Sequence, residues 1–307
     1  MRWTQHLAIG VDFSEPSQIA LQSALTFAAL VNAQQLTVLH AVPEVILPQG
    51  DQPALKNELE TLRQRMHQAA HAKLEAVCAQ FQPPTGLTVT HQLVEGAPAQ
   101  AIPQAAARAG AGCLIVGTHG RRGLRRWLRG SVAESMLQGA PLPILVTHVG
   151  HDGVAPQDEL RRLDHVLVAV DLPTSAPVLE AAVSLSEALP KSVRFTVLHV
   201  IPDNLMSDGS DDHVMATYRQ IRQEHAKQAL AQVTGRFPGQ SFELQISSGD
   251  VDESIVATGR TMGAELLVVG SHGSGSAPLL GLGSSVGAVV RQAPVSVLVV
   301  PCSTHEP

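Results

Sequence analysis

The sequence predicts an α/β protein of two tandem domains, each with a five-stranded parallel sheet that carries helices on both faces. The chain has 307 residues, which matches two ordinary domains of about 100–200 residues each. Short apolar segments alternate with stretches of helical periodicity, and this alternation is typical of parallel sheets. Aromatic residues make up only 3% of the chain, so aliphatic side chains must fill the cores, as they do around buried parallel strands.

The second half of the chain repeats the first, segment by segment and in the same order. The first two pairs of matching segments are 159 residues apart, and the next two pairs are 153 apart. A solenoid would repeat every 20–50 residues or so, so the pattern indicates duplication of a whole domain. We predict a first domain over residues 1–150, a polar linker over 151–162 and a second domain over 163–307. The matching segments are His6–Asp12 with His165–Asp171, Leu36–His40 with Phe195–His199, Cys113–Gly120 with Leu266–Gly273, and Ala140–Val146 with Ala293–Val299.

Strands and helices are predicted to alternate through each copy. In the first copy a strand ends at Asp12, and Ser14 with Pro16 is typical of a helix start, serine being the N-cap. Leu87 to Val94 alternates between polar and apolar residues, as a half-exposed edge strand does. The predicted strands are 6–12, 36–42, 87–94, 113–117 and 143–148, and the predicted helices are 14–32, 53–80, 97–109 and one starting at Ser131.

Charge and composition exclude several classes of protein. A net charge of −6 argues against a general nucleic-acid binder. No apolar run approaches the ~18 residues of a membrane span, and the N-terminus enters the first strand without a signal segment, so a cytoplasmic location is expected. The three cysteines form no CxxC motif, which predicts free thiols rather than a disulfide framework or a zinc site.

A glycine motif, G-x2-G-x9-G-S, follows the fourth strand of each copy. Glycine lets a backbone approach a ligand closely, and the final Gly-Ser opens a helix whose unpaired N–H groups attract phosphate. The alternative is that these glycines only end strands and start helices. No Gly-Lys-Ser/Thr is present, so hydrolysis of the P-loop type is not implied. The motif residues are Gly117, Gly120, Gly130 and Ser131 in the first copy, and Gly270, Gly273, Gly283 and Ser284 in the second.

The strand ending in Asp, the second strand ending in Leu-His and the glycine motif together resemble the ATP-binding branch of the universal stress protein family. The resemblance covers nearly the whole chain, twice, and implies a Rossmann-like sheet with strand order 3-2-1-4-5. It implies ATP with Mg²⁺ as the ligand, the glycines and serines of the motif holding ribose and phosphates. It further implies adenine or ribose contacts by Asp12 and Asp171, backbone contacts to adenine by Ala41 and Val200, and added backbone amides from Val132 and Ser285.

The two copies depart from each other near the proposed pocket. Pro173 replaces the serine that the family commonly has there. The nine residues 121–129 contain five arginines, whereas residues 274–282 contain no charge. The arginines either clamp a triphosphate, face water or meet an acidic partner; we predict that the first pocket binds ATP more tightly. His119 and His272 either contact phosphate or form local hydrogen bonds.

The predicted function is a nucleotide-dependent sensor or regulator in the stress response, not a catalyst. A nucleotide hydrolase or transferase and a nucleotide-free scaffold are the alternatives. His67 and His71 have metal-ligand spacing, but no third ligand is identifiable, so no metal site is predicted. The resemblance also implies that the two domains pack as an intrachain pseudo-dimer, and a homodimer is a further expectation.

Overall fold

The polypeptide forms two compact units, one from each half of the chain, and each is described by itself. The computed structural model describes residues 3–46, 53–119, 132–149, 160, 163–172, 175–190, 192–202, 212–272 and 283–302. Nearly all of the predicted linker 151–162 lies outside these residues.

The first half contains five strands and four helices among its described residues, in strict alternation. Its strands are hydrogen-bonded in parallel in the order β3-β2-β1-β4-β5, with β3 at the edge. This order confirms the prediction of a Rossmann-like sheet. The elements are β1 (His6–Gly10), α1 (Glu15–Leu30), β2 (Gln35–Val42), α2 (Pro53–Cys78), β3 (Thr88–Glu95), α3 (Pro98–Arg108), β4 (Cys113–His119), α4 (Val132–Gly139) and β5 (Ile144–Val149).

The second half has the same architecture over its described residues. Its strands are parallel in the order β8-β7-β6-β9-β10, which is the order of the first half copied strand for strand. The elements are β6 (His165–Ala169), α5 (Ser175–Ala188), β7 (Arg194–Pro202), α6 (Asp212–Thr234), β8 (Glu243–Gly249), α7 (Val251–Met262), β9 (Leu266–Gly270), α8 (Ser284–Gln292) and β10 (Ser296–Val300).

Aliphatic side chains on both faces of the central strands form the core of each half. β1 and its counterpart β6 are buried almost throughout, whereas the edge strand β3 is half-exposed, as predicted. The predicted alternation along β3 is not strict, since residues 90–92 are all exposed and residues 93–95 are all at least partly buried. Helix α1 packs an apolar face onto the sheet, in which the small residues Ala20, Ser23, Ala24 and Ala28 alternate with Leu21, Leu25 and Phe27. Small residues allow the helix to approach the strands closely, and this closeness shapes the site described below.

A buried polar pair at the start of the sheet is repeated in both halves. His6 Nε2 lies 2.8 Å from Thr37 Oγ1, and His165 Nε2 lies 2.8 Å from Thr196 Oγ1. All four residues are buried, and buried polar groups need hydrogen-bond partners. The duplication therefore extends to individual side-chain contacts, and these two histidines are structural.

Most helix and strand bounds agree with the predicted ones within two residues, but β4 differs in a way that matters. It continues to His119, because Thr118 and His119 still pair with β5. Gly117 therefore lies inside the strand rather than at its end.

Among the described residues, every helix falls short of the length or the apolar character that a membrane span needs.

Candidate functional site

The candidate site lies beyond the carboxyl ends of the central strands, where the order of strands reverses. In the first half, the chain moves from β1 to β2 on one side and later returns to β4 on the other. Ligands of open α/β sheets bind at such a reversal. Ile9 pairs with Ile115 and Val168 pairs with Val268. The residues just after β1 and β6, Val11 and Val170, are therefore level with Gly117 and Gly270.

Two hydrogen bonds hold the ends of β1 and β2 together. The Val11 N–H donates to the Leu39 carbonyl at 2.8 Å, and His40 Nδ1 lies 2.8 Å from the Val11 carbonyl. Because a carbonyl only accepts, His40 must carry its proton on Nδ1 in this contact. His40, two residues before the end of β2, therefore fixes the backbone just before Asp12.

The second half repeats this arrangement. The Val170 N–H donates to the Leu198 carbonyl at 2.9 Å, and His199 Nδ1 lies 3.0 Å from the Val170 carbonyl. Asp171 follows directly, in the place that Asp12 has in the first half. The Leu-His pattern in the sequence is thus explained by one strand-joining contact made twice.

The backbone of Ala41 faces the space that β1 leaves when it ends. Leu39 directs its carbonyl toward β1, and the Val42 carbonyl accepts from the Gly96 N–H on the opposite side. Backbone groups alternate in direction along a strand, so the Ala41 amide and carbonyl point to the β1 side. By the same alternation, the Val200 backbone faces the space beyond β6. These groups are suitably placed for the predicted contacts with a base.

Asp12 stabilises the turn between β1 and α1. The N–H and hydroxyl of Ser14 both donate to Asp12 Oδ1, and the Asp12 N–H donates to Ser17 Oγ at 3.3 Å. Ser14 is the N-cap of α1, as predicted, and its Oγ accepts from the Ser17 N–H. Partial burial raises the pKa of Asp12, but the hydrogen bonds from Ser14 and Ser17 outweigh it and leave the pKa lowered.

We expect this carboxylate to make folding more acid-sensitive. Because the folded pKa lies below the unfolded value, the stabilisation is present above about pH 4 and is lost as the pH falls through the folded pKa. The contribution should not exceed about 1 kcal/mol, since Asp12 is exposed and solvent screens it. Urea unfolding of the full chain between about pH 5 and pH 2 should show a smaller loss for Asp12→Asn than for wild type. Parallel curves would contradict this role.

Phe13 is a feature that the sequence analysis missed. Its φ of 67° is in the left-handed region, which is uncommon for a bulky side chain. The strained turn places the Phe13 ring 4.0 Å, centroid to centroid, from the His40 imidazole. No signal in the sequence predicts this backbone conformation. Leu172 has the corresponding position in the second half, so the two sites differ in this aromatic side chain.

Gly117 is required by packing inside the protein. A Cβ at this position would lie 2.4 Å from Ala20 Cβ on α1, far closer than two carbon atoms can approach. Packing against Ala20 is a reason for this glycine that the sequence did not predict, whereas its predicted contact with ribose or phosphate stays a prediction. Gly117 allows α1 to pack tightly against β4, which brings the start of α1 to the edge of the site.

Gly270 differs from its counterpart in what surrounds it. A Cβ there would lie 2.6 Å from Cys302 Sγ and 3.2 Å from Val178 Cγ2. Ser271 Oγ accepts from the Cys302 N–H at 3.0 Å and lies 2.9 Å from His272 Nδ1. His272 therefore has the local hydrogen bond that was one of its two predicted roles. Burial raises the pKa of the Cys302 thiol, which keeps it protonated and unreactive at neutral pH.

The start of α8 provides a helix N-terminus at the site of the second half. Gly283 is the N-cap, with φ −56° and ψ 140°, and has no side chain to cap the helix. Its N–H donates to the Ser271 carbonyl at 3.1 Å, which holds the helix start against the end of β9. Ser284 and Ser285 are the first two helical residues, and first-turn amides have no acceptor within the helix.

The start of α4 corresponds to it in the first half. Val132 is its first residue and is exposed, and it lies at the helix start predicted for it. Glu134 lies in the first turn, where a carboxylate stabilises the helix dipole. Gly287 has the corresponding position in α8, so the two helix starts differ in charge.

Some predicted site residues lie outside the described parts of the chain. They are Gly120, Gly130, Ser131, Gly273 and the arginine-containing segment 121–129. The prediction that the first pocket binds ATP more tightly stays a prediction, because it depends on those arginines.

Comparison with known proteins agrees with this duplicated fold. The Universal stress protein family matches the chain twice, over residues 4–148 and 162–301. A universal stress protein of Mycolicibacterium smegmatis is 27% identical over 300 residues, covering 96% of each chain. One of Mycobacterium tuberculosis strain H37Rv is 30% identical over 305 residues, covering 96% of this chain and 97% of that protein.

A solved structure has the same fold over its full length. The crystal structure of a universal stress protein from Archaeoglobus fulgidus gives a TM-score of 0.61 at 22% identity, covering 98% of this chain and 99% of that chain. The family matches twice, and both strand-end contacts are repeated at matching positions. This chain therefore belongs to the universal stress protein family, as a tandem of two family domains.

Proposed function

We propose that each half binds ATP with Mg²⁺ beyond the ends of its central strands, and that occupancy regulates the protein in the stress response. The proposal rests on a contact that is repeated in both halves. His40 and His199 each hold the backbone just before an aspartate, Asp12 or Asp171, at the carboxyl ends of the central strands. In both halves, backbone amide and carbonyl groups also face the site, from Ala41 on β2 and from Val200 on β7.

The two ends of each site suit different parts of a nucleotide. Ala41 and Val200 present backbone amides and carbonyls, which can hydrogen-bond the edge of a base whatever their side chains are. At the other end, the first-turn amides of α8 and α4 favour an anion. The glycine motif connects each fourth strand to that helix, so phosphate groups belong at this end.

A regulatory role is favoured over catalysis because the carboxylate of Asp12 already has a structural role. Asp12 is engaged by Ser14 in holding the turn after β1. One observation favours the hydrolase alternative: Glu134 lies in the first turn of α4, at the phosphate end. ATP turnover above about 1 s⁻¹, which is typical of enzymes, would favour that alternative if Glu134→Gln abolished it.

The direct test of the proposal is to identify what the protein carries. Full-length protein should be purified quickly without added nucleotide, denatured and analysed for released small molecules by mass spectrometry. We expect an adenine nucleotide, and a rise in the melting temperature when ATP and Mg²⁺ are added. Protein that carries no nucleotide and does not respond to ATP would support a nucleotide-free scaffold instead.

A further inference from the structure

A cluster of three potential metal ligands lies on the surface of the first half, away from the strand ends. His71 and Glu75 are one turn apart on α2, and His91 is on the edge strand β3. The nearest nitrogen or oxygen atoms of the three side chains all lie within 4.8 Å of one another. We refer to these three residues as the edge cluster.

The distances within the edge cluster are close to those around a bound ion. Glu75 Oε1 lies 3.5 Å from His71 Nδ1 and 3.9 Å from His91 Nε2. In a tetrahedral zinc site with bonds of about 2.0–2.1 Å, neighbouring ligand atoms are about 3.4 Å apart. The two distances to Glu75 are within about 0.5 Å of that spacing, and the distance between the two histidine nitrogens is at most 4.8 Å. All three are at least 31% exposed, so they have room to move and a metal ion has a path to them.

The two imidazole rings are placed in a way that a surface ion pair does not require. Their centroids are 5.3 Å apart, with an edge-to-face arrangement of 66°, and the same oxygen of Glu75 is the nearest carboxylate atom to both. Two histidines with one carboxylate form a ligand set used by zinc enzymes, which keep a fourth position for water. We propose that the edge cluster binds a divalent transition metal ion of the zinc type.

The second half supplies an internal comparison. Val38 pairs with His91, and its counterpart Val197 pairs with Leu244. On the helices, the buried residues Ala70 and Leu74 of α2 correspond to Ala226 and Leu230 of α6. By this alignment the three ligands are replaced by Lys227, Ala231 and Leu244. The fold does not need the edge cluster, which is specific to the first half.

Metal binding would join α2 to the outer strand of the sheet. In the described structure β3 pairs with β2 on one side only, and exposed edges are the weakest part of a sheet. An ion held by His71, Glu75 and His91 would cross-link the last turns of α2 to β3. Metal occupancy would thus stabilise this edge of the first half without involving the nucleotide site.

The sequence points to a different pair of histidines than the structure does. His67 and His71 have the spacing of metal ligands along a helix, but His67 Nε2 lies 2.7 Å from Glu95 Oε1. His71 is instead near His91, which is 20 residues further along the chain and comes from another element. His67 therefore serves as a matched control, being a histidine of the same helix beside a different carboxylate.

The test uses full-length protein that has been stripped of metal with EDTA. Zn²⁺ affinity is measured by competition with a chromophoric chelator, and Co²⁺ is used as a spectroscopic probe. We expect one Zn²⁺ site that His91→Gln and His71→Gln each weaken by at least about tenfold, since even changes beyond the direct ligands cost about 10–100-fold. His67→Gln should retain the wild-type affinity.

Hydrogen exchange locates the ion independently. Zn²⁺ should slow the exchange of β3 amides in wild type but not in His91→Gln, and it should leave β8 unchanged. Equal affinities for wild type and His91→Gln, or protection elsewhere than β3, would overturn the proposal. A thiolate-to-cobalt charge-transfer band would also overturn it, because it would place the metal on a cysteine.

Discussion

Gly117→Ala should lower the free energy of unfolding of the first half by about 1–3 kcal/mol, the usual cost of overpacking a tight interface. The new methyl group would lie 2.4 Å from Ala20 Cβ, which is fixed to the helix backbone and cannot rotate away. Helix α1 must therefore move from β4. Since α1 begins at the candidate site, we expect weaker nucleotide binding as well.

Gly270→Ala is the matched control in the second half. Its methyl group meets Cys302 Sγ, which is the end of a side chain that can adopt another rotamer, so the loss of stability should be smaller. Because a chain of two domains need not unfold in one step, hydrogen exchange should be followed separately in β4 and β9. If the two variants lose equal protection from exchange in β4 and β9, or if Gly117→Ala loses none, the close contact with Ala20 does not determine the stability of the first half.

Ser284→Pro should weaken nucleotide binding at the second site by about 10- to 100-fold, the cost of one hydrogen bond to a charged group. Proline removes the first amide of α8 but is well tolerated as the first residue of a helix. Gly283 already has ψ of 140°, which is the conformation that proline requires of the residue before it. The helix should therefore keep its structure and lose only a donor.

Ser284→Ala is the control for this change, because it removes the hydroxyl group and retains the amide. Its loss of affinity, measured by calorimetry on the full chain, should be clearly smaller. Circular dichroism and melting temperatures of the two variants should match. If Ser284→Ala lowers the affinity for nucleotide as much as Ser284→Pro does, the Ser284 hydroxyl contacts the nucleotide and the amide does not.

Sequence reasoning predicted the features that depend on neighbouring residues or on the repeat. The order of elements follows from alternating periodicities, and the start of α1 follows from Ser14 and Pro16. The strand order was implied by the family resemblance. Placing Asp12 and Asp171 at matching strand ends required only the duplication of the whole domain.

Contacts between distant residues could not be predicted in this way. The reason for Gly117 is a neighbour 97 positions earlier in the chain, Ala20, and no local pattern connects the two. β4 continues past that glycine because β5 pairs with it. Likewise, the approach of His91 to His71 depends on how α2 lies against β3. The left-handed backbone of Phe13 is a local feature, but its residue type argues against it.

In both halves, we expect amide groups after the glycine motifs to bind the phosphates of a nucleotide. Titration calorimetry of nucleotide-free, full-length protein with ATP and Mg²⁺, compared with adenosine, measures this contribution of the phosphates. We expect two ATP per chain and an affinity for adenosine at least about 100-fold lower, because adenosine lacks the charged groups that the amides favour. Equal affinities for adenosine and ATP, or no binding of ATP, would contradict it.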